Sequence, residues 1–463
     1  MATEPPGAAL RASLSGSFAG RLVLPEDSGY DEARRVWNGT VDRQPAAIAY
    51  CTSTSDVSAA VRAARQTGLP LSVRGGGHQV AGLSLSEGGL VIDLSELNTV
   101  TLNADHTVAR AGGGCLLRHV DTATSEFGRI VPAGVVSHTG LGGLALGGGV
   151  GWTFRNFGLT CDNIVGAEVV TADGSVHHAS EDDDAELLWA LRGGGGNFGV
   201  VTAFDLATHP LVDVLFGQAV YPIEDAPQAI AHYVATMAKA PDALTAICIT
   251  CGAPPLPGVP PELIGRPAVM INAAWSGDPQ EGVAPLRELI HTEKAAGADI
   301  IPMRYPEMQT MQDHLHPHGR FNYNKSRYLD RVDDSAIKAL LEAGRALPGR
   351  HCQVEVLRLG GAAARVAPEA TAFAHRDAGY ILNVVAAWTD QADADRTIQW
   401  ARDTYSSLDS VGSQAGYINF LELEPDRVLS VYPPATYERL RKIKRRLDPD
   451  NVFHGNVPIE PAP

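Results

Sequence analysis

Apolar positions near the amino terminus fall into short continuous runs separated by one stretch of helical period. Residues 46–50 read as a buried strand, and from Ser53 onward Val57, Ala60, Val61 and Ala64 share one face of a helix. Ser53 with Asp56 has the form of a capping box, and Gly68 with Pro70 stops the helix. Residues 70–74 then form a second strand and 89–94 a third. This β-α-β pattern delivers Gly75, Gly76, Gly77, His78 and Gln79 to the carboxyl end of a strand, where α/β units bind ligands.

Further strand-like runs occupy 164–172 and 200–204, preceded by glycine-rich segments at 132–152 and 193–199. From about residue 212 the glycine runs stop and a proline-rich loop at 254–267 interrupts mixed strand and helix patterns, which suggests a second unit over 206–405. The last segment, 406–463, carries the basic run 439–446 and an extended tail expected to return to the first unit, 1–205. Tyr437, Leu440, Ile443 and Leu447 recur at helical spacing, so the basic run reads as the solvated face of a helix. In the strand-like 353–359, alternation sets Glu355 on the same face as Leu357 and Leu359. An acid there is either paired at a sheet edge, as with Arg358, or functional, since desolvation would raise its pKa toward the range of a general base.

With 463 residues the chain exceeds one compact core, and its 48 glycines cluster in runs instead of recurring periodically. A formal charge of −16 opposes association with nucleic acid or anionic membranes, so neither is expected as a partner. No apolar run reaches the ~18 residues of a membrane span, and the first 25 residues lack a signal-peptide core; a soluble, cytoplasmic protein is expected. Six cysteines in a chain of this length do not form a disulfide framework, and Cys248 with Cys251 makes a lone C-x-x-C, read as packing residues.

Three glycines in succession let a backbone reach left-handed conformations and approach a ligand closely. The imidazole that follows, His78, either donates a hydrogen bond to a phosphate or attacks an electrophilic carbon of a cofactor; spacing does not separate the two. Gly140 to Ala145 satisfies G-x-G-x-x-A, with Asp162 about 20 residues on, but a nicotinamide-type site needs a helix running through Gly147, Gly148, Gly149 and Gly151, each costing ~1 kcal/mol. A Rossmann cradle is therefore disfavoured. Asp313, His314, His316 and His318 invite a metal reading, yet Pro317 disturbs any regular strand and no further ligands are evident; no metal is expected. Ser137 and His138 are adjacent, do not face each other in an ordinary chain and lack a nucleophile elbow, so cofactor contact is the better role.

The Arg74–His78 segment, the run from Val135 to Trp152, Gly158 to Asn163, Gly195 to Thr202 and Asp448 to Phe453 resemble, in order, the berberine-bridge-enzyme-like FAD-linked oxidoreductases of the vanillyl-alcohol-oxidase superfamily. The resemblance implies an α+β fold: a PCMH-type FAD-binding domain of two subdomains (1–205, completed by 406–463) and a central substrate domain (206–405) whose antiparallel sheet is flanked by helices. It implies FAD attached covalently through His78 only, because the place of a second, cysteinyl link, Val135 or Val136, holds no thiol. Cofactor contacts are implied at Arg74, Gly75, Gly76, Gly77, His78 and Gln79; at Gly134, Val135, His138, Thr139, Gly142, Gly143, Gly149 and Gly151; and at Gly196, Val200, Asn419 and Asn451. Trp152, Asn383 and Tyr417 are implied at the substrate, with Glu355 as base and Thr139 governing the approach of oxygen. The implied activity is an O2-using oxidase or oxygenase acting on a small organic substrate, a polyketide or other secondary metabolite; the alternative is an amine oxidase. A homodimer is compatible with this reading.

Overall fold

A computed structural model describes residues 6–290, 294–422, 428–455 and 457–463. The β-α-β segment forms as its pattern dictates. Ser53 caps the Thr54–Thr67 helix by accepting from the Asp56 amide at 3.2 Å, and Gly68 ends it at φ 68°, where a side chain would be strained. Ala47–Tyr50 and Leu71–Arg74 are strands, but Leu90–Asp93 lies between them, parallel to both, and Arg21–Val23 adds an antiparallel edge.

A second, wholly antiparallel sheet follows in the spatial order Val100–Leu102, Val108–Gly112, Val200–Ala207, Ile164–Val170, Val176–Ser180. The third and largest has seven antiparallel strands: Gly297–Arg304, Asp213–Pro222, Pro267–Trp275, Leu244–Gly252, Gln353–Arg358, Tyr380–Trp388 and Phe321–Leu329. Its period-2 alternation separates two chemistries. Val354, Val356, Leu382 and Val384 pack with the helices Ala226–Met237, Pro279–Ile290, Asp334–Arg345 and Ala394–Ser407 into one core. Glu355 and Asn383 point to the opposite face, toward the glycine-rich half of the molecule.

The carboxyl-terminal segment returns to that half. Helix Pro434–Leu447 covers the basic run, and here the expectation of a solvated face needs correction: Lys444 is fully buried. Its ammonium donates to Asp448 (2.7 Å) and to the carbonyls of Asn197 (2.9 Å) and Phe453 (2.8 Å), which satisfies the charge that burial would otherwise penalise. All six cysteines are buried and free, as the packing reading requires. No helix among the described residues is long and apolar enough to cross a membrane.

Candidate active site

A cavity of ≈ 310 Å³ lies between the glycine loops and the open face of the seven-stranded sheet. Its first wall is backbone. A Cβ on Gly76 would stand 2.4 Å from the Gly140 nitrogen and one on Gly140 2.3 Å from that of Gly76, so the two loops touch main chain to main chain. A Cβ on Gly143, by contrast, would meet nothing within 4 Å. That position opens onto the cavity and leaves its peptide free to approach a ligand. A short helix begins at the G-x-G-x-x-A motif, but Leu141–Leu146 ends on Gly147 and does not run through the later glycines, and Asp162 is ion-paired with Arg376 instead of facing a ribose.

The second wall is side chain. Glu355 sits in register between Ile249 and Asn383 on the neighbouring strands. Its carboxylate accepts from the Gln353 amide at 2.7 Å and the Asn383 amide at 2.8 Å. Burial pushes the Glu355 carboxyl above its ordinary range, and these two hydrogen bonds only partly offset it. The pairing with Arg358 does not form: Arg358 is turned to the Gly379 carbonyl and the face of Tyr380. The Oδ1 atoms of Asn324 and Asn383 and Oε1 of Gln79 are buried without a protein partner, and all three residues line the cavity. A buried polar atom without a partner is costly, so these three call for a bound group.

His78 stands where the two walls meet. Trp37 stacks on its ring at 4.8 Å between centroids, and its Nε2 lies 2.7 Å from Nδ1 of His138. Burial first, then the neighbouring His138, His318 and His316 rings, hold the His78 pKa well below the usual histidine value. His316 also lines the cavity, and burial takes its pKa to about 4. His78, His138 and His318 place their ring nitrogens within 4.8 Å of one another. The alternation of histidines over 313–318 is the one sequence signal of this gathering, and it does not reveal it, because His78 and His138 lie far away in sequence.

Most implied contacts reach the cavity: Gly75, Gly76, Gly77, His78, Gln79, Gly134, Val135, Thr139, Gly142, Gly143, Gly196, Val200 and Asn419 on the loop side, and Glu355, Asn383 and Tyr417 beyond them. Six do not line it. Arg74 is withdrawn into a buried ion pair with Asp93 and donates to the Ala33 carbonyl at 2.6 Å. Gly151 is glycine because a Cβ would overlap the Ala133 carbonyl at 1.6 Å, and Gly149, at φ 85°, donates its N–H to Tyr417 Oη at 2.8 Å. Asn451 turns the chain at φ 53° and donates to Glu460. Trp152 is buried against Phe216, edge to face at 5.5 Å. His138 reaches the site only through His78.

Tyr417 lines the cavity, but its hydroxyl accepts from the Gly149, Val150 and Asn419 donors, and burial raises its pKa. It braces the glycine loop and is not placed to act as a base. Asn419 does the same through the Leu144 carbonyl at 3.0 Å.

The family profile described as FAD binding domain matches residues 45–180, and that described as berberine and berberine like matches 416–460. The chain is 30% identical to (R)-6-hydroxynicotine oxidase of Paenarthrobacter nicotinovorans over 96% of its own length and 97% of the relative's. The crystal structure of 6-hydroxy-D-nicotine oxidase from Arthrobacter nicotinovorans superimposes with a TM-score of 0.87 at 28% identity, covering 96% of this chain and 99% of that one. Glucooligosaccharide oxidase from Acremonium strictum, a structure described as holding 6-S-cysteinyl, 8α-N1-histidyl FAD, shares the fold at TM-score 0.85 and 23% identity, covering 99% of this chain and 100% of that one. With backbone loops, unpartnered acceptors and relatives in agreement, the chain belongs to the berberine-bridge-enzyme-like family of FAD-linked oxidoreductases.

Proposed function

We propose that this chain is an oxidase that carries FAD on His78 and removes hydride equivalents from a small organic substrate held under the seven-stranded sheet, with O2 as electron acceptor. FAD fits the cavity on three grounds: the open approach at Gly143, the unpartnered Oε1 of Gln79, and a neutral imidazole at the loop end. When bound, it supplies the hydride acceptor. Residues 1–205 and 406–463 would hold it and 206–405 would present the substrate.

The observation that carries the reading is Glu355. It is a half-buried acid facing the cavity, hydrogen-bonded only to amides, and so free of a cationic partner that would fix it as an unreactive carboxylate. Such a group removes a proton from a substrate O–H or N–H as hydride leaves. Val150 and Val385 line the cavity with it and Ile249 pairs with it across the strands, so its surroundings are partly apolar, which suits a polyketide or similar secondary metabolite. Thr139, on the loop side of the cavity, is the residue set to govern the approach of O2. An amine is the second reading, favoured by the same acid, since a carboxylate can pair an ammonium, and by the likeness to a hydroxynicotine oxidase.

Anaerobic mixing with (R)-6-hydroxynicotine and, separately, with a polyketide carrying a secondary alcohol, while the flavin's visible band is followed, tests both. Bleaching by the polyketide alone supports the first reading and bleaching by the amine alone the second. If dithionite bleaches the band and neither compound does, both substrate classes are wrong.

A further inference from the structure

The hydrogen bond between His78, at the cavity wall, and His138, behind it, has a chemical use. Resting on the proposed attachment of FAD to His78, we propose that His138 is the proton acceptor that makes this attachment happen.

The geometry allows each ring nitrogen one task. Nε2 of His78 is committed to Nδ1 of His138 at 2.7 Å, which leaves Nδ1 as the His78 atom with a lone pair to offer. Trp37 stacks on the ring, and Trp37 is itself fixed by donation from its indole to the His316 carbonyl at 2.8 Å and by the Gly319 amide bonded to its own carbonyl at 2.9 Å. The imidazole is thus held before any cofactor contact is made, which lowers the entropic cost of attack.

A bond formed at Nδ1 while Nε2 kept its proton would leave a cationic ring in a buried place, among three other imidazoles and without an anion in contact. That proton has one acceptor in hydrogen-bond reach, His138. His138 can bear it. Burial, with Arg118 adding to it, holds the His138 pKa below the ordinary histidine value, but the ring is only half buried and the Asp313 carboxylate and carbonyl oppose that shift, whereas every neighbour of His78 adds to its own. Asp313 is positioned for this by its bonds to the amide (2.8 Å) and hydroxyl (2.6 Å) of the adjacent Ser137. The exposed His318 ring, 5.2 Å from His138 between centroids, continues the route to solvent.

One C–N bond forms from His78 Nδ1 to the 8α carbon of the cofactor; one C–H bond of that methyl group and the N–H bond of Nε2 break. The two electrons released pass in the end to dioxygen, which leaves as hydrogen peroxide with two protons, one of them relayed by His138. A metal at the same three histidines does not fit this spacing. Two imidazole nitrogens on one zinc ion, each at about 2.0–2.1 Å, stand roughly 3.3 Å apart in a tetrahedron, whereas here they are at hydrogen-bond distance.

The test is the fraction of bound FAD that survives acid precipitation, followed over time in full-length protein prepared flavin-free and then given FAD in air. For His138→Ala, attachment slows by about a hundredfold while non-covalent FAD binding persists, and added imidazole restores the rate. His138→Asn keeps an acceptor atom near the same place without a basic nitrogen, and it stays slow. Attachment by His138→Ala at the wild-type rate overturns the proposal. So does recovery by His138→Asn without imidazole, which would make the role one of positioning alone, and so does a His138→Ala protein that folds but binds no FAD. If the wild-type protein binds FAD and none of it resists acid, the tether on His78 itself is wrong, a failure separable from the others.

Discussion

The loop wall and the sheet wall of the cavity solve the same problem with opposite means. On the loop wall the useful atoms are backbone, side chains have been removed, and glycine identity is dictated by contacts as close as those between Gly76 and Gly140. On the sheet wall the useful atoms are side-chain tips, Glu355, Asn383 and Asn324, brought side by side by strand pairing across 61 residues or fewer. The difference teaches that binding a common cofactor can be written in one contiguous run, while substrate chemistry has to be assembled from every second residue of separate strands.

The largest effect should come at the joint between the walls. His78→Ala is expected to give protein whose acid precipitate is colourless where the wild type is yellow, without loss of the fold. Next is the sheet wall. Glu355→Gln should lower kcat about 10²–10⁴-fold on any substrate that bleaches the flavin, with flavin content unchanged. Because Glu355 must be ionised to act, activity should rise with pH through its raised pKa. Asn383→Ala removes a hydrogen bond that lowers that pKa and should move the acid limb to higher pH. A limb that stays put in Asn383→Ala would separate Glu355 from the rate.

The loop wall can be divided in turn. Gly143→Val adds bulk that meets only cavity and should reduce FAD binding with little change in Tm. Gly151→Ala collides with the Ala133 carbonyl and should cost stability of about 1–3 kcal/mol or more before it affects binding. Equal effects of the two on Tm would erase the distinction between ligand-facing and packing glycines.

The smallest effect is a control outside both walls. Asp121 is fully buried beneath the Tyr305–Thr310 helix with a long 3.4 Å bond from Gln309, and burial pushes its carboxyl to about 7. The folded chain then holds this proton more tightly than the unfolded one. Its contribution is complete below the ordinary carboxylate range and is lost as pH rises through about 7. Asp121→Asn should flatten the fall of Tm over that interval and leave flavin attachment and turnover untouched.

The legible part of the site follows the same division. The Ser53-capped helix, its flanking strands and the Gly75–His78 turn were readable because cap, period and glycine run are local signals. The glycine loops pointed to a cofactor for the same reason. Arg74, Gly149, Gly151, Asn451 and Trp152 lie within or beside such motifs but do not line the cavity, and only the folded chain shows the ion pair, hydrogen bonds and close packing that engage them. Glu355 was suspected from alternation, but its amide partners come from Gln353 and from another strand.

By itself the sequence determined the elements, the cradle and the histidine at its end, since each depends on neighbours a few residues away. Tertiary structure alone decided that His138 meets His78, that Asp313 backs it across 175 residues of chain, and that Lys444 is a buried pin instead of a solvated charge. Those outcomes depend on desolvation and on hydrogen bonds between distant segments, which exist only once the chain has closed on itself.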